Sequence, residues 1–299
     1  MQQVLLNGTW KMSDAGGEVR EGIIPGSVYS FLLNSGEMED PYYRDNELNA
    51  LKLMDSDYTF FRKFKLPGEM LKCGEILLRC DGLDTICDIY INGSPAGNAF
   101  NMHRIWEFDI TRLVKNEENE VKIVFRSPVK YIKEMLGNDY IGGSQHAMQG
   151  FPHIRKAHCM FGWDWGPRLP DAGIWRDISI LGVDSSRIKD VRITQHHEHG
   201  RVLLTVDVKQ TQSSQVRIVI TGPDGYKATL KNGGKTEVRN PRLWWPHGYG
   251  EQPLYTVKAE LLENGIAEDT RIKRIGLRTM TIAREKDQWG ESFAHCVNG

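Results

Sequence analysis

Along most of the chain, apolar and polar residues alternate one by one. In "EVKIVFR", Val121, Ile123 and Phe125 fall on one side, with Lys122 and Arg126 on the other. "VLLTVDV" repeats the pattern with Val202, Leu204, Val206 and Val208, and "YTVKAEL" sets Tyr255, Val257, Ala259 and Leu261 against Thr256, Lys258 and Glu260. A period of two is what a strand with one buried face requires. Turn residues punctuate these runs. Asn92-Gly93 stops the β-rich "CDIYINGSP" and marks a hairpin, and Pro223-Asp224-Gly225 and Asn232-Gly233-Gly234 read as further turns. One stretch alone has helical spacing: Ser127 as cap, Pro128 at the first position, then Val129, Ile132, Met135 and Leu136 on one stripe.

Many short strands with frequent turns argue for β-sandwiches rather than strand–helix–strand units, so the expected fold class is all-β. The 299 residues exceed one ordinary core, and two domains are expected. The break is placed at 184/185, where "IWRDISILGV" ends a strand and the polar "SSRIKD" follows. Residues 1–184 are long for a sandwich and imply extended loops. Residues 185–282 have the size of an immunoglobulin-like unit.

Charge narrows the function classes. With 38 basic and 39 acidic side chains, the formal net charge is −1, which offers no electrostatic footprint for nucleic acid or an anionic membrane surface. No run approaches the roughly 18 apolar residues of a spanning helix. The start, "MQQVLLNGTWKMSD", lacks the basic and apolar parts of a secretory signal, so the chain as written reads as cytoplasmic unless a leader has been removed. The five cysteines form no CxxC pair and are expected to be buried free thiols.

Familiar catalytic motifs are missing: no GxGxxG, GxxxxGKS, GxSxG or HExxH occurs. "GGSQH" (Gly142–His146) has His where a nucleophile elbow needs its second Gly, and reads as a surface loop. "QHHEHGR" (Gln195–Arg201) holds metal-binding residue types, but consecutive residues do not converge on one ion, and a solvated turn is expected. No catalytic residue is nominated, because no local spacing singles out the two carboxyl groups that glycoside cleavage needs.

"MFGWDWGPRLPDAGIW" (Met160–Trp175) carries three of the eight tryptophans. Indole faces pack against the C–H faces of a sugar ring while their N–H still donates. A carboxylate accepts hydroxyls in charge-assisted bonds. Trp163, Asp164 and Trp165 are therefore candidate sugar-contacting residues, against the alternative of a loop whose indoles anchor it to its own domain. In a strand the two indoles would share one face; in a turn Asp164 would stand at the tip beside one of them.

The stretch "HIRKAHCMFGWDWGPRLPDAGIW" closely resembles the β-mannosidases of glycoside hydrolase family 2. "LNGTWKM" and "GLDTICDIYINGSPAGNAFNMHRIWEFDITRLVKNEENEVKIVF" resemble the galactose-binding-like jelly-roll domain that opens such enzymes, and "NPRLWWPHGYGEQPLYTVKAEL" with "RIGLRT" their immunoglobulin-like domain. "GESFAHCVNG" resembles the lead into a (β/α)8 barrel, so residues 283–299 are expected to be a lead-in segment and the two catalytic glutamates to lie beyond this sequence. The resemblance implies a parent enzyme that removes terminal β-linked mannose with retention, through a covalent glycosyl-enzyme intermediate, without metal or organic cofactor. It implies terminal β-mannosides and the enzyme's own barrel as partners, and no nucleic acid or membrane. It assigns Trp163, Asp164 and Trp165 to substrate binding, with Arg155 and Lys156 as candidate supports that pair with Asp164.

Overall fold

The computed structural model describes residues 2–138 and 140–299. It divides into two compact units, Met1–Asp184 and Ser185–Gly299. The sheets of both are antiparallel: a jelly-roll sandwich first, an immunoglobulin-like sandwich second.

In the first unit, a six-stranded sheet runs in the spatial order Val19–Ile24, Gly8–Ser13, Tyr58–Phe64, Asn119–Phe125, Ile86–Ile91, Ser94–Phe100. It faces a four-stranded sheet of Gln2–Leu5, Ile178–Val183, Glu75–Cys80 and Trp106–Asp109. The alternation in "EVKIVFR" is realised directly: Val121, Ile123 and Phe125 are fully buried while their neighbours are not. Phe31, Phe60 and Phe125 meet edge to face, with centroids 5.2 and 5.5 Å apart, the arrangement that ring quadrupoles prefer. Asn92 and Gly93, both at positive φ (51° and 80°), close the foreseen hairpin.

Among the described residues three α-helices interrupt the sandwich: α1 (Val28–Ser35), α2 (Glu47–Leu53) and α3 (Pro128–Asn138). Only α3 was legible as a helix, and its Ser127 hydroxyl accepts from the Lys130 amide at 3.0 Å as a cap should. α1 escapes periodicity because eight residues make barely two turns. Its ends are nonetheless marked, by a Ser27/Ser30 capping box and by Gly36 at φ 76°.

The second unit packs Ile188–Glu198, Arg201–Gln210 and Gly234–Arg239 against Lys227–Leu230, Gln215–Thr221, Tyr255–Glu263 and Ile266–Ile275. Its core is aliphatic, with Leu204, Val206, Ile218, Ile220, Val257 and Ala259 fully buried. The strand Met280–Ala283, paired with Ala294–Val297, runs across the expected limit at Ile282. All five cysteines are free; Cys73, Cys80 and Cys87 are buried as expected, but Cys159 is exposed and Cys296 half-buried. Cys159 lies in a short 3-10 turn with no buried residue, and Cys296 in a two-stranded hairpin whose strand Ala294–Val297 is nowhere fully buried. No helix among the described residues is long and apolar enough to cross a membrane.

Candidate functional site

The tryptophan-rich stretch folds as a small hairpin. Phe161–Trp163 pairs with Gly166–Arg168, Phe161 facing Arg168 and Trp163 facing Gly166, so Asp164 and Trp165 form a two-residue turn. Within the first strand Gly162 has a φ of 91°, which suits glycine. A Cβ there would also lie 2.5 Å from Cγ of Arg168 on the opposite strand. The hairpin's base is anchored: the Phe161 ring is fully buried with Ile132 of α3 and Ile154, and it stacks near Phe151 at 6.2 Å. The Leu169 amide donates to the Met160 carbonyl at 2.8 Å, closing the base.

Beyond that base the side chains turn to solvent. Asp164 is exposed, Trp163 is 47 % exposed and Trp165 84 %. The turn geometry, with Asp164 at the tip beside an indole, is therefore the one adopted. Most of Trp165 and nearly half of Trp163 are left uncovered by the unit's own core. Exposed tryptophan on an anchored hairpin costs hydration free energy, roughly 25 cal/mol per Å² of apolar surface, and that cost is recovered only when something covers it.

The two supporting residues behave otherwise. Lys156 is 2 % exposed, and its ammonium is held between the carboxylate of Asp84 and the Asp171 carbonyl oxygen, 2.7 Å away. It does not pair with Asp164; its partner lies on the buried strand Leu83–Asp84, 72 positions earlier in the chain. Burial lowers the Lys156 pKa from the ordinary lysine value, against the opposing pull of Asp84. Arg155 is exposed, and its backbone lies in a bridge to Asn101, its carbonyl accepting from the Met102 amide at 3.0 Å. The neighbouring Asp171 carboxylate accepts from the Tyr29 amide at 3.1 Å and the Ala172 amide at 2.8 Å. Burial nevertheless pushes its pKa up to about 6.

Two features at the hairpin were not nominated from sequence. The loop holding "GGSQH" lies along it: the Met148 amide donates to the Phe161 carbonyl at 2.9 Å, and the exposed His146 ring sits 6.0 Å from the Trp163 ring, tilted by 45°. On the other strand, α2 packs beside Gly166–Arg168, and the turn before α2 exposes Tyr42 and Tyr43. Neither proximity has a signal in local spacing, because tertiary packing creates both.

"QHHEHGR" is the end of a strand and its turn. His196 and Glu198 point one way, 3.5 Å apart, and His197 the other, 3.0 Å from the Gln195 side-chain oxygen. Burial and the neighbouring His196 lower the His197 pKa. Among the described residues, no group of three or more His, Cys, Asp or Glu gathers as a metal site. At the tip, one exposed carboxylate between two indoles can accept hydroxyls and seat a ring, which is binding chemistry.

Residues 10–176 match the family described as glycosyl hydrolase 2 galactose-binding domain-like, and residues 186–278 match glycosyl hydrolases family 2. Among curated relatives, "Beta-mannosidase B" of Aspergillus fumigatus is 30% identical over 100% of this chain and 38% of its own length. The "Beta-mannosidase" of Capra hircus is 26% identical over 99% of this chain and 37% of its own. The crystal structure of a β-D-mannosidase from Dictyoglomus thermophilum superposes with a TM-score of 0.87 at 30% identity, covering 100% of this chain and 39% of that one. A Bifidobacterium dentium β-glucuronidase shares the fold at a TM-score of 0.70 and 22% identity, over 100% of this chain and 50% of that one. The chain thus spans less than two-fifths of the length of the mannosidases it matches. With both of its sandwiches claimed by the same family, more than half of its length by the first alone, the chain belongs to glycosyl hydrolase family 2.

Proposed function

We propose that this chain is the substrate-gripping, non-catalytic part of an exo-acting β-mannosidase. Trp163, Asp164 and Trp165 form one wall of a pocket for the terminal, non-reducing mannose. The observation that carries this reading is the tip itself: one largely exposed indole, one about half exposed, and an exposed carboxylate on a turn whose base is buried and anchored. The names of the relatives supply the sugar, and their greater length leaves room for a catalytic domain that supplies the acid/base and the nucleophile. The chemistry proposed for the whole enzyme is retaining hydrolysis by two carboxyl groups. A wall contributed by a separate domain blocks one end of the cleft, so that only a chain terminus enters.

The test is Asp164→Ala in the full native enzyme, assayed on 4-nitrophenyl β-D-mannopyranoside and on the matching glucoside and N-acetylglucosaminide. Losing charge-assisted bonds to one or two hydroxyls, each worth about 1.5–3 kcal/mol, is expected to cut kcat/KM about a hundredfold. The melting temperature should hold, because the side chain is exposed. A packing role predicts the reverse: a lowered melting point with turnover per folded molecule retained.

A further inference from the structure

His146 stands next to the tip without belonging to it. Its ring is exposed, 6.0 Å from the exposed Trp163 ring at a tilt of 45°, so the two do not stack on each other. Its loop is held in place. The Met148 amide donates to the Phe161 carbonyl at 2.9 Å, the Ala147 amide to the Ser144 carbonyl at 3.2 Å, and the His146 amide to the Ser144 hydroxyl at 3.2 Å. The Gln145 side-chain nitrogen lies 3.4 Å from Nε2 of the His146 ring. In either tautomer the imidazole carries an N–H that can donate.

That donor complements the tip chemically. An ionised Asp164 only accepts hydrogen bonds, whereas a sugar hydroxyl both donates and accepts. A ring seated against Trp163 needs a donor for its hydroxyl lone pairs as well as an acceptor for its protons. From this juxtaposition we infer that His146 is a specificity-determining residue of the same site, donating to a hydroxyl at the edge of a pyranoside seated on the indole of Trp163. The inference rests on the proposed sugar-binding role of the tip and adds the second polar contact that role lacks.

The experiment compares His146→Leu, His146→Gln and Asp164→Ala in the full native enzyme on 4-nitrophenyl β-D-mannopyranoside, with a melting curve for each. His146→Leu keeps bulk and loses the donor; it should raise KM and lower kcat/KM about tenfold, the worth of one hydrogen bond. His146→Gln restores an N–H and should recover most of that loss. If Asp164→Ala is impaired while His146→Leu matches wild type, the assignment of His146 is overturned and the tip reading stands. If Asp164→Ala is also unimpaired, the tip reading falls and takes this inference with it. Equal loss in the Leu and Gln variants with a lowered melting point makes His146 a packing residue and overturns the inference too.

Discussion

Asp164 and Asp171 belong to one stretch of chain and have opposite surroundings. Asp164 projects from a turn into water, where its role depends on what approaches it. Asp171 is folded inward among the α1 amides and the Lys156 ammonium, yet desolvation outweighs those attractions and lifts its pKa from 3.8 to about 6. The raised value has a definite consequence for stability. Between about pH 4 and 6 the folded carboxyl holds its proton while the unfolded one releases it. Its contribution to stability is therefore greatest below pH 4 and is lost as pH rises through 6, by up to about 3 kcal/mol for a shift of about two units. Asp171→Asn removes this dependence. Denaturant unfolding of wild type and variant across pH 4–7 should show wild type losing ground to the variant as pH rises. Parallel curves would refute the assignment.

At the scale of elements, Lys156 works as a clasp. It joins the stretch leading to the hairpin to the strand Leu83–Asp84 and to the turn before Gly173–Ile174. Lys156→Met leaves Asp84 buried without its cation, which is expected to cost about 3–5 kcal/mol. Asp84→Asn combined with Lys156→Met should recover a large part of that, because the stranded charge is gone. Thermal unfolding of the two variants checks both statements. The clasp was illegible in the sequence because its partner is 72 positions away, and Lys156 beside an aspartate-bearing loop suggested a local pair instead. The strands were legible for the opposite reason: period two is written residue by residue in "EVKIVFR" and "YTVKAEL", and each sheet has one buried face to enforce it. α1 and α2 are too short for a helical period to emerge. For the tip, the residue types were readable, but the choice between strand and turn was not. That choice hangs on the burial of Phe161 against α3, a contact between distant segments.

At the scale of the whole molecule, each unit carries its own apolar core. The site depends on something further. An open tip offers a sugar one wall, and a contact bathed in water keeps only a fraction of the energy it has when enclosed. The 299-residue chain by itself is therefore expected to bind mannose or a methyl β-mannoside with Kd weaker than about 1 mM, roughly 4 kcal/mol, and to release no 4-nitrophenol from its mannoside. NMR titration of the tryptophan indole N–H signals reads the first point directly. Small unsaturated shifts confined to Trp163 and Trp165 would place the weak contact at the tip. Saturation well below 1 mM would mean that these two sandwiches already contain a complete sugar site, making a self-sufficient carbohydrate-binding protein the better description. Measurable turnover would mean that a catalytic carboxylate pair lies within the chain. Shifts at other indoles instead would take the sugar contact away from the hairpin and leave its exposed indoles for a protein surface to cover.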